Sequence, residues 1–172
     1  MKLFLIIVAV VFALIIAMLV IGAVLPKNHV ASRQIVLHRS PNEVYGIVRD
    51  FGGAPSWRSD LERVEMIATA DQHVQFREHG AQGAITYDLV EDRPEEKIVT
   101  RIADLDLGYS GAWTYTFNKD AAGTRVQITE EGEVSNILFR FLSRFVFGHT
   151  STMEKYLIAL GKKFGENVSP QP

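Results

Sequence analysis

Residues 35–45 read Ile-Val-Leu-His-Arg-Ser-Pro-Asn-Glu-Val-Tyr, and this stretch contains the end of a strand and the start of a helix. The strand is predicted over residues 32–38, where β-branched and other apolar residues are concentrated. Ser40 predicts the N-cap of the helix, Pro41 suits its first position, and Glu43 completes a Ser-x-x-Glu capping box. The sequence therefore predicts a strand that turns directly into a helix.

Downstream of this unit the apolar residues recur at every second position. The pattern forms six runs with polar, Gly or Pro residues between them, over residues 61–69, 72–78, 83–91, 97–104, 111–118 and 124–133. A period of two is typical of half-buried strands, and short polar connections suit hairpins. One face collects Val74, Phe76, Ile85, Tyr87, Leu89, Trp113, Tyr115, Phe117, Val126 and Ile128. The pattern predicts an antiparallel meander with one apolar face that must be covered.

The predicted cover is the C-terminal segment. Apolar residues recur there at spacings of three or four, namely Leu138, Leu142, Phe145, His149, Met153, Tyr156, Leu160 and Phe164. This period is that of an amphipathic helix. We expect one long helix from residue 136 to about residue 164, bent near Gly148.

The N-terminal segment is apolar without interruption. Every residue from Leu3 to Leu25 is apolar or glycine, which is long enough to cross a hydrocarbon core of about 30 Å. A cleavable signal peptide has a shorter apolar centre and a small-x-small cleavage site, whereas the best candidate here is His29-Val30-Ala31. We therefore predict a single-pass protein of the plasma (inner) membrane. The basic residues on the two flanks of this segment favour a cytoplasmic domain only weakly, so we do not assign the side of the membrane on which the domain lies.

These patterns divide the chain into four parts. We predict a transmembrane anchor over residues 1–26, a short linker over 27–31, one globular domain over 32–165 and a disordered tail over 166–172.

Composition excludes several classes of function. The chain has no cysteine, which excludes disulfides, thiolate catalysis and cysteine zinc sites, and its net charge of −2 argues against a nucleic-acid partner. The chain has five histidines, namely His29, His38, His73, His79 and His149. None forms an i,i+4 pair with another, and none has an acidic residue at the spacing of metal ligands. No phosphate loop or dinucleotide fingerprint is present. We expect neither a metal nor a cofactor.

The order of these elements resembles the SRPBCC superfamily of START-like, helix-grip proteins, and within it the polyketide cyclase/dehydrase and lipid-transport group. The resemblance is carried by residues 35–45, 51–57, 113–117 and 142–160, and it covers roughly residues 32–165. It implies an α+β helix-grip fold, in which a curved antiparallel sheet of about six or seven strands wraps a long C-terminal helix, here preceded by one transmembrane helix. It also implies a cavity between sheet and helix.

Aromatic and polar residues on the predicted inner faces are the candidates for this cavity. The candidate ligand-binding residues are Trp57, Phe76, Tyr87, Trp113, Tyr115, Phe145, His149 and Met153. Several of them combine apolar area with a hydrogen-bonding group, although aromatic residues at a period of two also build ordinary cores. The candidates for acid–base catalysis are His149, Glu78 and Glu130. The alternative is a core histidine bonded to a neighbouring hydroxyl and two carboxylates that return to solvent at strand ends.

Residues 137–147 are apolar almost all round, except for two arginines one turn apart. One hypothesis is that this segment forms a membrane-facing lip of the cavity, made by Phe139, Arg140, Phe141, Arg144 and Phe147, with the arginines near lipid phosphates. The alternative is a broad core contact with the arginines at the surface.

The leading functional hypothesis is a membrane-anchored binding protein that holds a lipid-like or aromatic molecule and needs no covalent step. Its expected partners are membrane lipids and a hydrophobic small molecule, and protein partners stay open. One alternative is an enzyme of the cyclase/dehydratase kind. Another is an envelope protein that docks a partner and has a filled core without a cavity.

Overall fold

The computed structural model describes residues 1–81, 83–148 and 150–172, together forming an α+β fold. An N-terminal helix, α1 (Lys2–Val24), leads into strand β1 (Asn28–Leu37), helix α2 (Pro41–Arg49) and a 3-10 turn (Ala54–Ser56). Six strands follow, β2 (Leu61–Ile67), β3 (Gln75–Gly80), β4 (Gly83–Arg93), β5 (Lys97–Ile102), β6 (Tyr109–Asp120) and β7 (Gly123–Val134). The chain ends with α3 (Ile137–Leu142), a π-helical turn (Ser143–Phe147) and α4 (Ser151–Lys163).

The seven strands form one antiparallel sheet in the order β1-β7-β6-β5-β4-β3-β2. Strands β2 to β7 are a meander, as the period-two pattern predicts, and β1 joins its far end by pairing with β7. Breaks in register occur between Leu61 and Arg63 and between Leu89 and Glu91. Such irregularities increase the local twist and bend the sheet, which gives it a concave face.

The capping box predicted at residues 40–43 is present at the start of α2. The Ser40 hydroxyl accepts a hydrogen bond from the Glu43 backbone N–H, and the Glu43 carboxylate accepts one from the Ser40 backbone N–H at 2.9 Å. Val44 and Val48 are buried on the inner side of this helix. They contribute to the core at one end of the sheet.

The core lies between the concave face of the sheet and α4. Met153, Tyr156, Leu157 and Leu160 of α4 are buried in one cluster with side chains of the sheet and of α2. The sheet residues of that cluster are Ile35, Leu37, Phe76, Ile98, Tyr115, Phe117, Val126 and Ile128. Most of them come from the face that the alternation of the sequence predicts.

The predicted long C-terminal helix is wrong in its extent, because the segment forms two separate helices. Gly148 has φ +70 and ψ 158, a conformation that no helix contains, and it ends the π-helical turn that follows α3. Of these two helices, α4 contributes the buried residues that pack in the core. Helix α3 packs instead against the C-terminal part of α1, where the absent side chain of Gly22 allows the backbone of Ile137 to approach closely.

Two predicted boundaries also need correction. The predicted linker, residues 27–31, is mostly strand, because β1 begins at Asn28 and pairs with β7 over its whole length. The predicted disordered tail, residues 166–172, is docked on β1. Gln34 and Gln171 exchange two backbone hydrogen bonds of 2.9 Å, and Glu166 accepts a hydrogen bond from the His38 backbone N–H. The tail thus satisfies groups on an edge strand that would otherwise stay unpaired.

The β6–β7 hairpin provides a stability test. Gly123 has φ +142, and a Cβ at this position would collide with the carbonyl oxygen of Leu37. We expect Gly123→Ala to lower the free energy of unfolding by roughly 2 kcal/mol or more, through backbone strain and overpacking. The measurement is urea unfolding of the full chain in mild detergent, followed by tryptophan fluorescence.

Gly46→Ala is the matched control, because Gly46 lies within α2 and a Cβ there has no neighbour within 4 Å. This variant is expected to be more stable than the wild type by about 0.5–1 kcal/mol. Equal effects of the two substitutions would contradict the predicted role of Gly123.

Candidate functional site

A cavity of about 330 Å³ lies between the concave face of the sheet and the helical segments that follow β7. Strands β4 to β6 contribute Ile85, Tyr87, Thr100, Ile102, Tyr109, Ser110, Gly111 and Trp113. The other walls consist of His29, Glu130, Glu133, Val134, Phe139, Ser143, Gly148 and Thr152. Its volume is at the lower end of the range of about 300–1,000 Å³ that is usual for small-molecule sites.

Strand pairing explains why these side chains converge. Tyr87 pairs with Ile102, and Thr100 pairs with Trp113, so that directly opposed residues of three neighbouring strands point to the same face. Helix α4 packs near β1, whereas α3 contacts β7 and α1. The concave surface between them is left open as the cavity.

A smaller pocket of about 60 Å³ continues from the cavity toward the core. The two spaces share Tyr87, Thr100, Trp113 and Thr152 as lining residues, and the pocket also contacts Arg58, Phe76, Glu78 and Tyr115. Such a volume can hold a few water molecules or a small polar group, but not the body of a ligand.

A buried ion pair is the main polar feature of this inner pocket. The Arg58 guanidinium donates to Glu78 at 2.6 Å and to Asp60 at 2.7 Å. Burial raises the pKa of Glu78 above its ordinary value, although the Arg58 cation opposes this shift. Burial also disfavours the charged form of Arg58, but the two carboxylates hold its pKa above the ordinary value. The pair places opposite charges at the inner end of the two connected spaces.

Tyrosine hydroxyls surround the ion pair. Burial raises the pKa of Tyr87, Tyr115 and Tyr156, so all three are neutral hydroxyls near pH 7. The Arg58 guanidinium also lies over the Tyr156 ring, 5.2 Å from its centroid. The inner pocket therefore offers neutral donors and acceptors beside a charge-balanced pair.

A second polar cluster lies in the wall of the larger cavity. Glu130 accepts a hydrogen bond of 2.7 Å from the Trp113 indole N–H, and its other oxygen is 2.8 Å from Nε2 of His29. These contacts hold the Trp113 ring against the cavity and keep the Glu130 carboxylate on the concave side.

Several predicted site residues are brought together in these spaces. Phe76, Tyr87, Trp113 and Tyr115 line them, and so do the predicted carboxylates Glu78 and Glu130. Strict alternation along β3 and β7 correctly predicts that both carboxylates point inward. Whether they take part in binding or catalysis stays a prediction.

Three predicted ligand-binding residues lie elsewhere. Trp57 and Met153 pack in the core, and Phe145 is 60% exposed on the π-helical turn. None of the three is among the lining residues, and of the π-helical turn it is Ser143 that lines the cavity. His149 and the side chain of Phe147 lie outside the described part of the chain.

Arg140 corrects the predicted membrane-facing set. It is only 7% exposed, so its side chain does not reach the surface. Its guanidinium donates to the carbonyls of Gly22 and Leu25 at the end of α1, and to those of Val134 and Ser135 after β7. Arg140 thus fastens α1 to the domain. Phe139 and Arg144 are exposed, and Phe141 is half-buried against Phe145.

Sequence reasoning did not identify Arg58 or His29. Arg58 follows the 3-10 turn, outside the strands and helices that the sequence patterns predict, although an inward Glu78 on strand β3 signals the need for a cation. His29 was assigned to the linker. The β1–β7 register alone would have placed it opposite Gly132 and near Glu130.

The Arg58–Glu78 pair predicts a characteristic pattern of stabilities. We expect Glu78→Ala to lower the free energy of unfolding by about 3 kcal/mol, because Arg58 stays buried after losing a partner. The double variant Arg58→Met/Glu78→Met should lose less, since no buried charge is then left unpaired and the carboxylate of Asp60, which loses Arg58, is 54% exposed. Glu65→Ala, which removes an exposed carboxylate 2.9 Å from His79 Nε2, is the control and should cost less than about 1 kcal/mol. A double variant less stable than Glu78→Ala would contradict this role.

Structures of known proteins share this fold. A START superfamily protein from Mycobacterium smegmatis aligns with a TM-score of 0.62 at 18% identity, over 78% of this chain and 96% of that one. Norcoclaurine synthase from Thalictrum flavum aligns with a TM-score of 0.63 at 13% identity, over 86% and 92%. The di-domain ARO/CYC StfQ from the steffimycin biosynthetic pathway aligns with a TM-score of 0.59 at 14% identity over 82% of this chain, which spans only 52% of StfQ.

At these identities the similarity shows the fold alone. No curated protein sequence matches the chain. The family described as polyketide cyclase / dehydrase and lipid transport matches residues 28–157, which include β1, the whole meander and the first half of α4. This range confirms the predicted resemblance, and the chain belongs to the polyketide cyclase / dehydrase and lipid transport family.

Proposed function

We propose that this protein is a membrane-tethered carrier that holds a mainly apolar small molecule between its sheet and its C-terminal helices. The observation that carries the proposal is the cavity of about 330 Å³, whose walls include Ile85, Ile102, Val134 and Phe139. Apolar walls favour an apolar guest, because binding removes both surfaces from water. A protein that only docks a partner would have a filled core at this place.

The chemistry of the inner pocket favours a particular kind of ligand. Arg58 is already balanced by Glu78 and Asp60, and Glu130 adds a further carboxylate to the cavity wall. An anionic end group would therefore meet carboxylates without a free cation. We propose an amphipathic ligand with an apolar body in the cavity and an uncharged hydroxyl or carbonyl group near the inner pocket.

The tether in this proposal is α1 acting as a retained membrane span. Helix α1 has 23 residues, and its 18-residue apolar window has a mean hydropathy of 3.5, so that by length and composition it suits either a membrane span or a signal sequence. Two observations favour retention of α1 in the mature protein. Arg140 binds carbonyls at the end of α1, and cleavage after Ala31 would remove the first residues of β1.

An enzyme of the cyclase/dehydratase kind is the second candidate. The observation that favours it is Glu78, a carboxylate with a raised pKa that borders the space open to ligands. A carboxylate of this kind can act as a general acid or base on a bound substrate. Turnover that disappears in Glu78→Gln while ligand binding persists would favour this second function.

Filling the cavity should abolish binding. Ile102 points into it, and we expect Ile102→Trp to weaken binding of the neutral fluorescent probe N-phenyl-1-naphthylamine at least tenfold, because the indole occupies the space of the guest. Probe fluorescence is titrated with the full chain in detergent micelles, and native mass spectrometry follows the loss of any co-purifying molecule.

Val90→Trp is the control, since Val90 is exposed on β4 and does not line the cavity. This variant should bind the probe like the wild type. Unchanged binding in Ile102→Trp would rule out the cavity as the site.

Retention of α1 predicts the mass of the mature protein. The chain isolated from membranes should keep residues 1–31 and should stay in the pellet after alkaline carbonate extraction. Intact-mass spectrometry distinguishes this outcome from a mature protein that begins after the apolar segment, which would contradict the tether.

A further inference from the structure

A second concave site lies outside the ligand cavity, where α1, β1 and the π-helical turn meet. This groove of about 260 Å³ is lined by Lys27, Asn28, Arg140, Ser143 and Arg144, together with His29 and apolar neighbours. No acidic residue is among the described residues that line it. The groove therefore combines several cationic groups with polar donors, a composition that suits a phosphate group.

Arg140 forms the floor of this groove without a carboxylate partner. It is buried, and within the described ranges no carboxylate lies at salt-bridge distance from its guanidinium. Its hydrogen bonds go to four backbone carbonyls, two of which belong to the C-terminal end of α1. The partial negative charge of a helix terminus balances only about half of a unit charge. A positive potential remains at the groove.

Lys27 and Arg144 form the rim. Both are exposed, and neither has an ion-pair partner in the part of the chain that the structure describes. Their side chains are therefore available to a ligand that approaches from outside.

An apolar surface adjoins the groove. Leu138, Phe139, Phe145 and Val146 of α3 and the π-helical turn are between 43% and 62% exposed. The contact between Gly22 and Ile137 holds this surface beside the last turn of α1. Gly22 lies two residues before the end of α1, which is about 3 Å along the helix axis. Charged groove and apolar surface thus lie at the level where the apolar segment of α1 ends.

We propose that this groove binds the phosphate of an anionic phospholipid, whose acyl chains lie along the exposed face of α3 and the π-helical turn. The proposal rests on the proposed function in one respect, which is that α1 spans the bilayer. Phe139 belongs both to this exposed face and to the wall of the ligand cavity, so the bound lipid lies beside the opening of the cavity. A ligand resident in the same leaflet can then reach the cavity without crossing water.

Native mass spectrometry of the full chain in detergent micelles tests this proposal. The probe is palmitoyl-oleoyl phosphatidylglycerol, and palmitoyl-oleoyl phosphatidylcholine is the neutral comparison. The wild type should bind one phosphatidylglycerol in preference to phosphatidylcholine. Lys27→Gln and Arg144→Gln should each weaken phosphatidylglycerol binding about fivefold, since each removes one cation near the phosphate. Arg144→Lys should retain binding.

The matched controls are Arg101→Gln and Lys119→Gln. Both residues are exposed cations on strands β5 and β6, outside the groove, and their removal changes the net charge by the same amount. These variants should bind phosphatidylglycerol like the wild type. Equal weakening in the controls, or equal binding of the two lipids, would overturn the proposal.

Two other occupants have distinct signatures. Competition by millimolar inorganic phosphate or glycerol phosphate would identify a site for free phosphate, and a dimeric mass that disappears in Arg144→Gln would identify a second copy of the chain. Either result would overturn the proposal. Failure is separable from failure of the carrier function, because Lys27→Gln and Arg144→Gln should leave N-phenyl-1-naphthylamine binding unchanged, whereas Ile102→Trp should leave phosphatidylglycerol binding unchanged.

Discussion

The concave face of the sheet is larger than the helix that covers it, and this mismatch determines the rest of the structure. Helix α4 has 13 residues and is therefore about 20 Å long. Its buried row, from Met153 to Leu160, packs on strands near β1 and α2. Tyr156 of α4 reaches the Trp113 ring, with 6.0 Å between the ring centroids, but the helix does not fill the space beside Tyr87 and Ile102. That space stays open as a cavity, and Phe139, Ser143 and Gly148 of the segment before α4 form part of its wall.

Most of the secondary structure can be predicted from local sequence patterns. The capping box at Ser40 and the alternation in β3 to β7 depend on residues close together in the chain, so sequence reasoning predicts them with the correct faces. The inward direction of Glu78 and Glu130 follows from the same alternation. Even the first helix follows from an uninterrupted apolar run. These features need no knowledge of distant contacts.

The features that sequence reasoning missed depend on distant contacts. Arg58 is buried because it meets Glu78, 20 positions away, and Arg140 is buried because it binds carbonyls of α1, more than 100 positions away. Neither partner can be inferred from a local pattern, and an arginine on an amphipathic segment normally predicts a surface position. The docking of the tail at Gln171 also depends on a distant contact, because the tail pairs with β1 and β1 is available only as an edge strand of the sheet.

The short connection between α1 and β1 limits how the proposed carrier could work on a membrane. Pairing of β1 begins at Asn28, four residues after the last residue of α1, and Arg140 ties the two elements together. A domain mounted in this way has neither the reach of a tethered arm nor its rotational freedom. As the proposed membrane-tethered carrier, it could not shuttle cargo across a gap between two bilayers by swinging on its anchor. In that proposal, an acceptor of the cargo would have to diffuse laterally to the same patch of lipid.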